Sequence, residues 1–367
     1  MKKHFLALDG LRGTAALAVA SAHVTAYNAG TTALPHAFLA VDFFFIISGF
    51  VIAHAYEQRL LSNMGFWEFI ELRVVRLWPL IVAGLALGAF YFVIKNVFQP
   101  AEAVSVGYLG VAIIFGLLLA PLNMVLGTDG YPLDPPCWSL FFEMIANALY
   151  ALLCRFRLIS SGMLFVIIAI SLLGLMAESR LELWDVPQHF SNRLALATSF
   201  LEGGSRVGFG FFLGVAFYRY RNHSFFRRLP RLHPALASIV LLMSLSLPPF
   251  LSNIYDFVVT ILILPLIVVL SAHYELQGSG AAASKFAGWL SYPLYVVHYP
   301  VMFLTAGAVK YLGVRAPLFI LEVGTIISCL AAAYLLGKFY DEPVRRWLAR
   351  HAHTRFSGIR FVNINAK

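Results

Sequence analysis

The chain has 367 residues, of which 60% are hydrophobic and 12% charged, with a net charge of +9 and a mean hydropathy of +0.78. Soluble domains carry about 25% charged residues, so composition excludes an ordinary globular enzyme. Long continuous apolar runs, rather than short alternating segments, also exclude a membrane β-barrel and leave an all-α polytopic bundle. The basic residues lie between the apolar runs, as in cytoplasmic loops, and are not read as a nucleic-acid surface.

The first apolar run, 11–28, follows Asp9 and carries Arg12 and His23. Those two are eleven positions apart, about 20° from register on a helix, so they share one face with about 16 Å of axial rise between them. Asp9 precedes Arg12 by three residues and can pair with it. Lys2, Lys3 and 20-ASA-22 imitate a cleaved signal peptide, but Asp9 and Arg12 interrupt its apolar region, so an uncleaved helix is expected. Arg12 alone reads equally well as a snorkelling residue; Arg12 together with His23 suggests an interior polar track. The second run, 38–56, contains 41-VDFFFIISGFVI-52.

The stretch 66-FWEFIELRVVRLWP-79 reads as a short amphipathic helix ended by Pro79, before a third run over 77–97. Arg73 and Arg76 form either a basic lipid anchor or a site for ligand phosphates. A fourth run covers 105–126. The fifth, 137–154, opens with 138-WSLFFE-143, where Ser139, Glu143 and Asn147 make a polar stripe beside Trp138. A lone buried Glu143 is costly, so protonation, a cationic partner or a structural tie between helices is expected.

Further runs occupy 160–177, 204–218, 233–250, 254–271, 286–307 and 316–338, with 178–203 as the longest external loop. In 291-SYPLYVVHYP-300, Tyr295 and His298 lie between prolines, where His298 reads as a packed histidine at least as readily as a chemical one. Cys137, Cys154 and Cys329 have neither metal nor disulfide spacing, and no His/Asp/Glu set calls for a metal.

If 105–126 is re-entrant or lies on the outer side, the basic clusters at 155–157, 219–231 and 338–350 all fall inside. About ten crossings plus that segment are therefore expected, with both termini cytoplasmic; eleven crossings would place a reporter fused after Lys367 outside. One membrane domain over 1–350 and a short cytoplasmic tail over 351–367 follow.

Taken in order, these motifs resemble the acyltransferase-3 family of integral membrane acyltransferases. The segment 9-DGLRGTAALAVASAH-23 is similar to its Arg, ten residues, His signature, and 73-RVVRLWP-79 to its Arg-x-x-Arg. The stretch 138-WSLFFE-143 resembles its Trp-Ser-Leu-x-x-Glu, while 41-VDFFFIISGFVI-52, 291-SYPLYVVHYP-300 and 342-EPVRRW-347 resemble its other helices. The resemblance implies transfer of an acyl group, usually acetyl, from cytosolic acetyl-CoA to a hydroxyl, in a bacterial cytoplasmic (inner) membrane. It implies a carbohydrate or glycolipid acceptor, as in exopolysaccharide or lipopolysaccharide, or in some members a small secondary metabolite. Some members carry an appended extracellular esterase-like domain, which is not expected here.

On that reading, Arg73, Arg76 and Arg12 hold the coenzyme and Asp9 orients Arg12. His23 acts as general base or as an acyl-carrying nucleophile, and Glu143 orients it or binds the sugar. Ser139, Trp138, Tyr295 and His298 are expected to line the substrate cavity. Buried Arg, His and Glu would also suit a proton-coupled transporter, although no repeat relates the two halves.

Overall fold

The computed structural model describes residues 4–123, 130–180, 193–248 and 252–353. Among these residues it contains helices and no strand. The helices are α1 Leu6–Ala29, α2 Leu39–Ser62, α3 Phe66–Phe98, α4 Val106–Leu117, α5 Cys137–Arg155, α6 Ser161–Arg180, α7 Arg193–Tyr220, short α8 Ser224–Arg228 and α9 Pro234–Ser246. Helix α10 runs through Ser252–Val258, Val259–Ile263 and Leu264–Ala272, and α11 through Gly278–Tyr311. Helix α12 runs through Leu318–Leu336, Gly337–Asp341 and Glu342–His353, and the middle segments of α10 and α12 are π-helical.

Among the described residues each apolar run contains a helix, although that of 105–126 covers only Val106–Leu117. Local chemistry sets several of the ends. Gly30 closes α1 in the left-handed region at φ 70°, with its N–H on the Ala26 carbonyl. The Ser105 hydroxyl caps α4 by accepting from the Tyr108 N–H. Pro234 begins α9, where its missing N–H costs nothing.

Two expectations are corrected. Pro79 does not end a short helix; it lies inside α3, whose 33 residues run from Phe66 to Phe98. Neighbouring helices in a bundle can support a backbone interrupted by proline. The 178–203 loop is shorter than expected, because α6 runs on to Arg180 and α7 begins at Arg193; residues 181–192 lie outside the described residues. The expected tail lies outside them from residue 354 onward, while 351–353 finish α12.

Five helices among the described residues are long and apolar enough to cross a membrane: α2, α3, α5, α10 and α12. Shorter apolar helices lie at Val106–Leu117, Ser161–Ala177 and Pro234–Ser246. Helices α1, α7 and α11 are long but carry the polar residues of the interior. Large apolar side chains such as Phe165, Ile170, Phe319, Ile320 and Ile327 are exposed on the outside of the bundle, where lipid would cover them.

Contacts fix the helix directions. On α1 and α11, Gly13 meets Ala287, His23 meets His298 and Tyr27 meets Phe303, so the two run parallel. Asp42 pairs with Arg206 and Glu57 with Arg219, so α2 and α7 also run parallel. Helix α5 is antiparallel to α3, with Arg73 at Glu143 and Gly84 against Asp134. Helix α4 descends beside α3: the Asn96 amide brackets Val104, and Trp78 Nε1 donates to the Leu117 carbonyl at 2.8 Å. The chain then returns, bringing the Leu133 carbonyl against Gly88.

The α2–α7 pair depends on small residues, as close helix packing in membranes often does. A Cβ on Gly49 would overlap the Phe211 carbonyl, and one on Gly214 the Ile46 carbonyl. Gly49→Val should therefore destabilise the protein by about 1–3 kcal/mol through overpacking. A lowered thermal midpoint in detergent checks this; an unchanged midpoint would mean that the helices can separate freely there.

Candidate active site

The bundle holds a half-open cavity of about 170 Å³. Arg12 of α1 enters it, with Phe44 and Ser48 from α2, Arg73 and Arg76 from α3, Ser139 and Glu143 from α5, and Ser291, Tyr292 and Tyr295 from α11. Parallel packing of α1 on α11 puts Arg12 level with Ser291 and Tyr292. The antiparallel α3–α5 contact brings Arg73 onto Glu143.

Glu143 Oε1 accepts from Arg73 at 3.1 Å and from the Ser48 hydroxyl at 2.7 Å. Arg73 is buried, and its Nε has no hydrogen-bond partner. Arg76 lies over the Tyr292 ring, 5.1 Å from its centre. Arg12 Nη1 is 3.7 Å from Asp9, which also receives His4 at 3.1 Å. At another wall, the Ser139 and Tyr295 hydroxyls are hydrogen-bonded at 2.7 Å. Three guanidinium groups and one carboxylate thus share a small interior space, which suits an anionic ligand with a polar, uncharged end.

One turn along α11 beyond Tyr295 stands His298, fully buried, its ring centre 6.1 Å from that of Tyr295. Its Nε2 is 2.9 Å from His23 Nδ1. Tyr299 sets its ring edge-on to His23, 5.1 Å between centres.

Residues 5–338 match the model of the type-3 acyltransferase domain family. The chain belongs to the acyltransferase-3 family. It is accordingly a membrane-embedded acyl-transfer enzyme. This acyltransferase is also similar to "Protein 2 in picA locus" of Rhizobium radiobacter, at 39% identity over 160 residues, which cover 41% of this chain and 82% of that protein. No solved structure matches it.

The acyltransferase gathers Arg12, Arg73, Arg76, Glu143, Ser139 and Tyr295 around one cavity, and brings His23 and His298 together beside it. Of the two roles expected for Glu143, orienting His23 or binding the sugar, the first has no contact here: Glu143 holds Arg73 and Ser48 while His23 holds His298. Trp138 does not line the cavity; it packs beneath the Arg206 guanidinium at 5.2 Å. Asp9 also stands outside the lining, against Gly288 and beside Arg12. Within the Ser139–Glu143–Asn147 stripe, the Asn147 amide donates to the Glu143 carbonyl at 2.8 Å. Among the described residues, no three His, Cys, Asp or Glu converge as metal ligands would.

Sequence reasoning missed Ser48, Ser291 and Tyr292. It also missed a buried charge network on the α2–α7 interface, where Arg206 holds Asp42 at 2.8 Å and Glu202 at 3.4 Å. Nearby, His36 pairs with Asp256 at 2.5 Å. The available signal was an acid at the head of an apolar helix, Asp42, and an arginine inside another, Arg206.

Proposed function

We propose that this acyltransferase moves an acetyl group from cytosolic acetyl-CoA to a hydroxyl of a carbohydrate or glycolipid in the bacterial cytoplasmic membrane. One observation carries the reading: three arginines and Glu143 share a cavity whose Tyr295 wall borders the His23–His298 pair. Arg76 and Arg12 bind coenzyme phosphates or steer the pantetheine arm. Arg73 acts with them while neutralising Glu143. An imidazole nitrogen of His23 takes the proton of the acceptor hydroxyl as its oxygen attacks the thioester carbonyl. The C–O bond forms, the C–S bond breaks, and the coenzyme leaves as thiolate to be protonated from the imidazolium. The carbohydrate acceptor rests on the family resemblance.

Ten crossings, both termini cytoplasmic and a re-entrant α4 fit this reading. Alternating full crossings of α3, α4 and α5 would make α3 and α5 parallel, whereas they are antiparallel. Helix α4 has 12 residues, about 18 Å of rise against a hydrocarbon core of about 30 Å. With α1 running outward, Arg12, Arg73 and Arg76 lie toward the cytoplasmic half, on the donor's side.

Replacing both Arg73 and Arg76 by Gln should raise the apparent KM for acetyl-CoA about tenfold or more, since charge-assisted contacts are worth about 1.5–3 kcal/mol each. Steady-state kinetics on purified protein checks this. An unchanged KM with altered membrane orientation would favour a lipid anchor instead.

A further inference from the structure

The ring of His298 is held so that its protonation can be read from its neighbours. Its Nδ1 lies 2.8 Å from the Tyr295 carbonyl and 3.1 Å from the Leu294 carbonyl. Carbonyl oxygens only accept, so Nδ1 carries the proton. In the neutral ring Nε2 then offers a lone pair, and its partner at 2.9 Å is His23 Nδ1. Two lone pairs cannot face each other at that distance, so His23 Nδ1 must donate. The lone pair of His23 is thereby left on Nε2.

The contact is in-plane. The two rings are tilted by only 7° and their centres are 5.2 Å apart, the 2.9 Å bond plus one ring radius at each end. That sum requires centre, nitrogen, nitrogen and centre to lie in line, as a linear hydrogen bond demands. Ring stacking would put the centres over one another instead. His298 itself has little room to turn. It is fully buried, with its ring Nδ1 held by two backbone carbonyls of its own helix.

We infer that His298 is a positioning residue, a fixed acceptor that locks His23 in the Nδ1–H tautomer and leaves His23 Nε2 as the reacting nitrogen. The relay runs from the Tyr295 carbonyl through His298 to His23, so α11 orients a group on α1 275 positions away. When Nε2 takes the acceptor's proton, the imidazolium keeps its Nδ1–H bond to His298. The catalytic part of this inference rests on the acyl-transfer reading above; the tautomer does not.

The test is nitrogen NMR of the full chain in nanodiscs with ¹⁵N-labelled histidine rings, His23 being assigned by the signal lost in His23→Gln. Expected is a neutral His23 with a protonated Nδ1 and a bare Nε2; a protonated Nε2 on neutral His23 overturns the inference. In kinetics, His298→Leu should lower kcat at least about tenfold, part of the ~10²–10⁴ that a positioned base contributes, with the KM for acetyl-CoA unchanged. His298→Gln, whose amide oxygen accepts where Nε2 did, should restore the Nδ1–H signal and most of kcat. Equal kcat for the wild type and His298→Leu would overturn the positioning role. A wild-type chain that shows the expected spectrum but transfers no acyl group would sink the acyl-transfer reading and leave the tautomer assignment supported.

Discussion

His23→Ala should lower acyl transfer by about 10²- to 10⁴-fold, the range a positioned general base contributes, or abolish it if His23 carries the acyl group itself. The variant should still reach the membrane folded. His23 is only half-buried, on a helix whose packing against α11 rests on Gly10, Gly13 and Gly288 at the other end. Removing its ring leaves His298 Nε2 without a donor, a cost of about 1–3 kcal/mol for a neutral group. Activity measured per folded molecule therefore separates chemistry from stability. Single-turnover experiments with labelled acetyl-CoA and no acceptor then divide the two roles: label bound to the protein means an acyl-imidazole, and its absence means a base. Activity close to wild type in His23→Ala would remove His23 from the chemistry.

Arg206→Met should be the most destabilising single change outside the cavity, at about 3–5 kcal/mol. The guanidinium is completely buried, bonded to both carboxylate oxygens of Asp42, to Glu202 and to the Phe38 carbonyl, and packed on Trp138. Without it, two acids lose their counter-charge inside the bundle. Pairing Arg206→Met with Asp42→Leu should recover part of the loss, because an apolar replacement of a buried pair often costs little. Thermal unfolding in detergent checks the order, with wild type most stable, then the double variant, then the single one. A single variant as stable as wild type would mean that water or another cation reaches Asp42.

How far the sequence could be read depended on whether a feature was local. Among the described residues each apolar run yielded a helix because hydropathy and backbone satisfaction in lipid are decided within each segment. The alignment of Arg12 with His23 was also local, a matter of helical period. Pro79 misled because its effect depends on neighbours, and α3 runs on through it inside the bundle. The link of Arg73 to Glu143 spans 70 positions and that of His23 to His298 spans 275, and no period in a single chain encodes either. Arg206 was overlooked for a related reason. Within 204–218 it is a single charge in an apolar run, and its partner Asp42 lies on the parallel α2.

The central claim, that an acetyl group passes from the coenzyme through this bundle to a carbohydrate hydroxyl with His23 at the reacting position, can be tested in proteoliposomes. Acetyl-labelled acetyl-CoA is supplied on the face exposing the Arg76 end, and a surface-glycan extract is enclosed inside. The account predicts covalent label on the enclosed carbohydrate with wild-type protein and none above background with His23→Ala. Label that crosses without becoming covalently attached, or equal labelling by both proteins, would contradict it.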